Sequence, residues 1–307
     1  MFTFVIPAHN EQESIGTIVR QALGAARADD RVLVVDSAST DATAQRAAAA
    51  GAEVLHGPRG KGAAVAAALS EVRTPWVCLL DADLFGAEVN VPARLREAAL
   101  ASGTDHVVGD YEYADPGTIL SSTFAIYQPL VDELFPEVGE LGANALTGYR
   151  AVRRHFLDGG VPADFGLESY LNISVAVAGG TATVTHLGVI ESRFRYKPDM
   201  GREIGRTILD LAVAHGRLDP LTRTRWDRWV AETAAVVAGI GDTRAGRSAA
   251  LAKLFTAVRR PLPSRLRHPA EAALLPKRAP LSRPKPDQGT PAQHQAPHRG
   301  APSAPRT

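Results

Sequence analysis

The sequence has almost none of the residue type that builds disulfide frameworks and thiolate metal sites. Of its 307 residues only one is a cysteine, Cys78. A single cysteine excludes an internal disulfide and cannot form a cluster of cysteine ligands for zinc. Because Cys78 lies inside an apolar run, we interpret it as a small core residue.

Long hydrophobic runs are missing as well. No apolar stretch approaches the roughly 18 residues that a membrane-spanning helix needs. The start, MFTFVIPAHNEQES, has neither a basic segment nor a hydrophobic segment of signal-peptide length. We therefore expect a cytoplasmic protein without a transmembrane segment.

The sequence also has almost no net charge, since the formal value is +1. Residues 1–260 carry 26 basic and 31 acidic side chains, whereas residues 261–307 carry 8 and 2. The body thus offers no basic surface for nucleic acid, which excludes that class of partner. Residues 261–307 also hold 11 of the 21 prolines. Such a segment cannot bury enough apolar surface to fold, so we predict a disordered Pro-rich basic tail.

The first ninety residues alternate apolar strands with helices four times. Strands are predicted at FTFVIPA, RVLVVDSAS, AEVLHG and PWVCLLDAD, and a helix follows each of the first three. Continuous apolar strands between helices predict an α/β protein with a mostly parallel sheet and helices on both faces. Sheets of this kind bind ligands beyond the carboxyl ends of their strands.

The second half is less regular. We predict an outer strand at HVVGDYEYADP, a helix interrupted around Pro129, a short strand or loop leading into a helix near Arg150, and a last strand at ATVTHLGVIES. GLESYLNISVAVAGG is typical of a helix, and two amphipathic helices follow over residues 199–218 and 223–240.

Two aspartates one residue apart, Asp81 and Asp83, follow the fourth strand. One aspartate suffices for a turn or a helix cap, so the second needs another reason. Two carboxylates at a rigid strand end can hold Mg²⁺ or Mn²⁺. Such a cation bridges a diphosphate and stabilises it as a leaving group.

Other polar residues follow neighbouring strands. Glu11 and Asp36 can accept hydrogen bonds from a ribose and a base, and Lys61 at the start of a helix suits a pyrophosphate. The GxxxxGK[ST] spacing of a P-loop is absent, and so is a GxGxxG after the first strand, which excludes both of those phosphate-binding motifs. Together these strand ends predict a nucleotide site.

The segments VIPAHNE, VVDSASTDAT, GKG and LLDADL, in this order, resemble the GT-A fold, family 2-like nucleotide-sugar glycosyltransferases. Within them the sequence is most similar to the glucosyl-3-phosphoglycerate synthases, over about residues 2–195. The resemblance implies a hexosyltransferase with a UDP-sugar donor such as UDP-glucose and a Mg²⁺ or Mn²⁺ ion. It places Asp36 and Glu11 at uracil and ribose, Lys61 near the phosphates, and Asp83 as main metal ligand beside Asp81. Further donor contacts are implied at Pro7, Ala8, Ser37 and Ala82.

On the acceptor side the resemblance extends into LTGYRAVRR and FGLESYLNI. It implies that Glu168 faces the sugar or the acceptor, and that the acceptor contacts are Thr123, Thr147, Gly148 and Arg150. The chain then divides into a nucleotide-sugar-binding half (1–110), an acceptor-binding half with C-terminal helices (111–260) and the tail (261–307).

The sequence departs from the synthases at their histidine metal ligand, where it has Ser192. Glu191 or His186 can substitute, or there is no third ligand. The resemblance implies retention of the anomeric configuration, whereas inversion would need a base such as Glu168 or Asp164.

The acceptor segments contain few cations. Only Arg150 is basic within them, and Arg153 and Arg154, expected on a helix, cannot both join it. We therefore predict a small hydroxylated acceptor with at most one anionic group. The alternatives are a glucosyl-3-phosphoglycerate synthase proper, a sugar-1-phosphate nucleotidyltransferase, and a polyprenyl-phosphate glycosyltransferase. Trp226, Trp229 and the basic tail leave peripheral membrane contact open, and a homodimer is also open.

Overall fold

The computed structural model describes residues 1–87, 89–114, 121–192, 197, 199–238, 252, 256 and 260–264. All of them belong to one compact unit, Met1–Arg267. The predicted tail, apart from its first four residues, lies outside the described residues. None of the helices in the described ranges is long and apolar enough to span a membrane.

Within the described ranges the sheet has eight strands, in the order β3-β2-β1-β4-β7-β6-β8-β5. They are β1 (Phe2–Ala8), β2 (Arg31–Ser37), β3 (Glu53–Gly57), β4 (Trp76–Leu79), β5 (Leu84–Phe85), β6 (His106–Tyr113), β7 (Arg150–Arg153) and β8 (Ala182–Ser192). The first four pair in parallel, β7 is antiparallel to β4 and to β6, and β6 is parallel to β8. The predicted mostly parallel α/β sheet is confirmed.

Helices cover both faces of this sheet. They are α1 (Ile15–Ala25), α2 (Thr43–Ala49), α3 (Lys61–Leu69), α4 (Val91–Ala101), α5 (Gln128–Leu134), α6 (Leu167–Val177), α7 (Met200–Ala214) and α8 (Arg223–Ala238). One core cluster joins the sheet to α1 and α4, and a second joins its other face to α3 and α6. A third, the C-terminal cluster, is formed mainly by α5, α7 and α8.

Burial explains why the sequence pattern found the central strands. All of β1 except Pro7 and all of β2 except Arg31 are buried, so their apolar residues run without interruption. Cys78, in β4, is fully buried, and burial raises the pKa of its thiol, as expected for a core residue.

Three expectations about the second half need correction, and one helix was missed. The β6 strand lies between β7 and β8 and is not an outer strand. Pro129 does not break a helix, since a π-helical turn (Thr123–Tyr127) runs directly into α5 and Pro129 occupies its first turn. The segment after β7 is a single 3-10 turn. Helix α4 was not predicted, although Asn90 caps its start.

Candidate active site

The candidate site lies where the chain leaves β1 and β4. These strands are neighbours, yet β1 connects onward to β2 on one side, whereas the chain after β4 continues to β5 at the opposite edge of the sheet. The loops after β1 and β4 therefore run apart, and they leave the kind of crevice in which open α/β sheets bind ligands. The predicted donor residues Pro7 and Ala8 end β1, and Ala82 lies buried in the turn after β4.

The loops after β1 and β2 are tied together by side chains. Asn10 has a positive φ of 57°, and its Oδ1 accepts a hydrogen bond from the Thr40 amide at 2.8 Å. The Glu11 amide donates to Thr43 Oγ1 at 2.8 Å. Glu11 is buried, and the Ser14 hydroxyl donates to its carboxylate at 3.3 Å. Glu11 is thus held at the crevice by Ser14, which precedes α1, and by the first residue of α2.

Asp36 is buried at the carboxyl end of β2 and is only half satisfied. Its Oδ2 lies 3.3 Å from Nδ1 of the exposed His56, its neighbour on β3. Its Oδ1 is buried and has no hydrogen-bond partner among the residues that the structure describes. A buried carboxylate oxygen of this kind needs a donor, and a ligand can supply one. The adjacent Ser37 serves the fold, since its hydroxyl donates to the Pro58 carbonyl at 2.5 Å.

Lys61, the first residue of α3, joins two carboxylates. Its Nζ lies 2.6 Å from Asp81 Oδ1 and 2.6 Å from Glu168 Oε1. Burial alone would lower the pKa of Lys61, but the two carboxylates raise it above its ordinary value. Glu168, in the first turn of α6, is buried by this contact. The structure thus brings Lys61, Asp81 and Glu168 together, with the Lys61 ammonium in contact with both carboxylates.

The amides at the start of α3 are less open to phosphate than the sequence predicts. The Ala63 amide donates to the Ala163 carbonyl at 2.9 Å, and a side chain at Gly62 would collide with the Pro162 carbonyl. The loop that leads into α6 therefore covers this helix end.

Asp83 lies in the turn between β4 and β5. Burial, and then the charges of Asp81 and Glu11, raise the pKa of Asp83 to about 6. Three carboxylates converge there with two ammonium groups, those of Lys197 and Lys61, so the turn carries unbalanced negative charge. These are hard oxygen donors, which suit Mg²⁺ or Mn²⁺. No complete set of three metal-ligating side chains is already assembled among the described residues.

The structure narrows the candidates for a third metal ligand. Ser192 pairs with Leu84, directly beside Asp83, and Glu191 pairs with Phe85 and lies against Gly86. His186 lies on the same strand as Ser192, β8, but six residues and about 20 Å away, where it pairs with Asp110 of β6. His186 is therefore too far from Asp83 to share its cation.

Arg150, predicted to contact the acceptor, is fully buried. Its guanidinium donates to the carbonyls of Thr147 and Ala145 and to Asn172 Oδ1. Asn172 in turn donates to the Tyr127 hydroxyl at 2.8 Å. The guanidinium is thus engaged within the core, so in this arrangement Arg150 does not face an acceptor.

The other predicted acceptor residues also serve the fold. Thr147 Oγ1 accepts a hydrogen bond from the Tyr149 amide, and Thr123 is buried at the start of the π-helical turn. Gly148 packs against Asp81, since a methyl group in place of its hydrogen would collide with that carboxyl. Gly148 therefore positions an acid of the site.

The remaining charged candidates lie apart or are paired. Because β7 is antiparallel to β4, Arg153 faces Trp76 at the far end of the strand, with its guanidinium 4.3 Å from the ring centroid. Arg154 forms an ion pair with Asp158. Asp164, one of the two candidate bases, lies 2.5 Å from Arg206.

Sequence reasoning missed several residues around the acids. Lys197 lies over the Phe165 ring at 4.4 Å, and burial of its ammonium and the charge of Lys61 lower its pKa. Three tyrosines also surround Asp81, whose charge adds to burial in raising the pKa of each phenol: Tyr111, Tyr113 and Tyr149. All are distant from the aspartates in sequence, and no local motif marks them.

Comparisons with known proteins agree with this geometry. Residues 3–130 match the family model of glycosyl transferase family 2. Over this stretch the chain is thus similar to glycosyl transferase family 2. It is 34% identical over 185 residues to glycosyltransferase AglJ of Haloferax volcanii, which covers 58% of this chain and 59% of that protein. It is 32% identical over 109 residues to an undecaprenyl-phosphate 4-deoxy-4-formamido-L-arabinose transferase of Pseudomonas fluorescens, which covers 32% of each chain.

Solved structures give the same assignment. Glucosyl-3-phosphoglycerate synthase from Mycobacterium tuberculosis, in complex with Mn²⁺, UDP-glucose and phosphoglyceric acid, superposes with a TM-score of 0.61 at 26% identity. The match covers 69% of this chain and 80% of that one. The resemblance to GT-A glycosyltransferases and to this synthase family is thereby confirmed. The chain spans less than two thirds of both curated relatives named above.

Proposed function

We propose that the protein is a metal-dependent glycosyltransferase that moves a sugar from a UDP-sugar to a small hydroxylated acceptor. The observation that carries the donor assignment is the buried Oδ1 of Asp36 at the carboxyl end of β2, which has no hydrogen-bond partner within the described part of the chain. The imide N–H of uracil is a donor of the right kind for a carboxylate, and its hydrogen bond would satisfy this atom. Glu11, held in the neighbouring loop, would accept from a ribose hydroxyl.

The turn after β4 suits a divalent cation. Asp83 would be the main ligand and Asp81 the second, because both are oxygen donors in a region of unbalanced negative charge. A divalent cation supplies charge stabilisation to a departing diphosphate. The Mycobacterium tuberculosis synthase binds Mn²⁺ together with UDP-glucose in its crystal structure, which supports this pairing of donor and metal.

The carboxylates offered as bases are both engaged by cations, Glu168 by Lys61 and Asp164 by Arg206. A general base needs a free lone pair within reach of the acceptor hydroxyl. We therefore favour a retaining reaction, in which Glu168 orients Lys61 and the sugar and does not abstract a proton.

Titration calorimetry with UDP tests the donor site. We expect tight binding with Mn²⁺, much weaker binding with EDTA, and a loss of at least tenfold in Asp36→Ala. Asp210→Ala, which removes a remote carboxylate paired with Arg223, is the matched control and should leave UDP binding unchanged. Equal UDP affinity with EDTA and with Mn²⁺ would disprove the metal dependence, and an unaffected Asp36→Ala would disprove the base assignment.

The acceptor should carry at most one anionic group. Arg150 is engaged in the core and Arg153 and Arg154 lie at the far end of β7, whereas Lys197 lies close enough to Asp81, Asp83 and Glu168 for their charges to act on its ammonium. One ammonium can hold one anionic group well and two poorly. Kinetics with UDP-glucose and 3-phosphoglycerate should show weak or no use of that acceptor. A sub-millimolar KM with steady turnover would instead assign the protein as a glucosyl-3-phosphoglycerate synthase.

A polyprenyl-phosphate acceptor is the second candidate. It also presents a single anionic group, and the Pseudomonas fluorescens relative bears the name of such a transferase. The tryptophans that suggested membrane contact do not support it, because Trp226 and Trp229 are both buried in the C-terminal cluster. Transfer of glucose to undecaprenyl phosphate in vesicles, with co-pelleting of the protein, would favour this candidate over a free hydroxylated acceptor.

A further inference from the structure

The contacts of Lys61 differ from those expected of a lysine whose ammonium is available to bind phosphate. Its ammonium lies 2.6 Å from a carboxylate on each side, Asp81 after β4 and Glu168 on α6. Asp81 is also one of the two acids proposed to hold the divalent cation. The ammonium thus neutralises a carboxylate that the cation needs.

The backbone around this contact is tightly packed. The Pro162 carbonyl lies so close to Gly62 that a side chain there would collide with it. The start of α3 is therefore packed against this loop. On the other side, Gly148 packs directly against the Asp81 carboxyl. The carboxyl therefore lies between Gly148 and the Lys61 ammonium, and the part free to move is the flexible side chain of Lys61.

We propose that Lys61 is an internal counter-cation for Asp81, which a divalent cation must displace before it can bind there. This inference rests on the metal site of the proposed function. When Lys61 leaves Asp81 it keeps Glu168 and gains the diphosphate of the donor, which carries new negative charge. Donor and cation should consequently bind with strong positive coupling, because each favours the same position of Lys61.

A permanent structural ion pair makes the opposite prediction. If Lys61 only held Asp81 in its binding geometry, removal of the lysine would disorder the acid and weaken the cation site. The two roles therefore differ in the sign of one measurable effect, the affinity for Mn²⁺ without nucleotide.

Calorimetric titration of the full chain with Mn²⁺ alone measures that sign. We expect Lys61→Met to bind Mn²⁺ at least tenfold more tightly than the unaltered protein. Arg31→Met is the matched control, since Arg31 also forms a 2.6 Å ion pair, with Glu53, but at the opposite end of β2. Arg31→Met should leave the affinity for Mn²⁺ unchanged. Unchanged or weaker Mn²⁺ binding by Lys61→Met would overturn the inference.

Lys61→Arg is a second variant that keeps the charge and so guards against misfolding. A guanidinium can grip a carboxylate with two hydrogen bonds, so we expect weaker Mn²⁺ binding than in the unaltered protein. Tighter binding by this variant would contradict the displacement model.

Titrations repeated with saturating UDP separate the two proposals. In the unaltered protein UDP should tighten Mn²⁺ binding at least tenfold, and in Lys61→Met only a few-fold. The inference alone fails if the unaltered protein binds Mn²⁺ in the presence of UDP but Lys61→Met, without UDP, binds Mn²⁺ no more tightly than the unaltered protein. If no form binds Mn²⁺ even with UDP, the proposed metal site fails and the inference falls with it.

Discussion

Lys61 and Arg150 are both cations held within the protein, but their partners are of opposite kinds. Lys61 lies between two carboxylates and keeps 19% of its side chain exposed. Arg150 is completely buried and donates to backbone carbonyls and to the Asn172 amide oxygen. The sequence suggested ligand binding for both. The partners indicate that one cation is exchangeable and the other structural.

The difference follows from where each residue lies. Lys61 opens a helix at the edge of the crevice, where a ligand can compete for its ammonium. Arg150 begins β7 inside the sheet and holds the carbonyls of the turn that ends at Gly148, which packs against Asp81. Both cations thus act on Asp81, Lys61 by direct contact and Arg150 by its charge and through the backbone of this turn.

The largest expected effect comes from removing the acid that neither cation contacts. Asp83→Ala should lower turnover at least a thousandfold while the fold is kept, since a carboxylate in a turn can be lost without disturbing the core. Steady-state kinetics with UDP-glucose and thermal unfolding measure the two quantities. Cys78→Ser is the control and should show the reverse, a loss of stability from the buried strand β4 with kcat retained. Near-normal turnover in Asp83→Ala would show that the metal assignment is wrong.

Arg150→Met tests whether Arg150 is structural. Loss of the guanidinium leaves several buried acceptors unpaired, each costing about 1–3 kcal/mol, partly offset by removal of a buried charge. We expect the free energy of unfolding to fall by about 3 kcal/mol, measured by urea denaturation.

Mn²⁺ distinguishes the two cations in the same assay. Saturating Mn²⁺ should restore much of the stability that Lys61→Met loses, because the metal ion replaces the missing charge at Asp81. It should add no more stability to Arg150→Met than to the unaltered protein. Equal restoration of stability in both variants would show that Lys61 and Arg150 do not differ in this way.

The sequence predicted the surroundings of Lys61 better than those of Arg150. The donor half was predicted because its strands are buried on both faces and its polar residues follow strand ends, so each signal is local. The network of Arg150 with Asn172 and Tyr127 depends on contacts 22 and 45 residues apart. A basic residue in a loop-like segment carries no local mark of burial. Helix α4 did have a local signal, the cap at Asn90 followed by Pro92.

The pH dependence of Asp83 gives a smaller effect. Its pKa is raised to about 6, so the folded protein binds this proton more tightly than the unfolded chain does. The stabilising contribution of the protonated group is complete below about pH 4 and is lost as the pH rises through 6. Asp83→Asn should therefore stabilise the metal-free protein at pH 7.5 and not at pH 4. Because Asp83 is partly exposed, we expect about 1–2 kcal/mol.

Urea denaturation at the two pH values in EDTA measures this difference. Asp210→Asn, which alters an exposed carboxylate, is the control and should be neutral at both. Stabilisation of Asp83→Asn that is equal at pH 4 and pH 7.5 would show that titration of this carboxyl is not its cause.

The smallest expected effect concerns the boundary of the C-terminal tail. The sequence predicts that residues after Arg260 pack against nothing, but Leu262 contacts the C-terminal cluster and the Trp226 indole donates to the Ser264 carbonyl at 3.2 Å. Truncation after Arg260 removes both contacts and should cost about 1 kcal/mol, whereas truncation after Arg267 should cost nothing. The lost contacts belong to α8 and not to the crevice, so Mn²⁺ and UDP affinities should be equal in both truncated proteins. Thermal unfolding and calorimetry of the pair check this, and a change in Mn²⁺ affinity would show that the C-terminal cluster also supports the exchangeable cation.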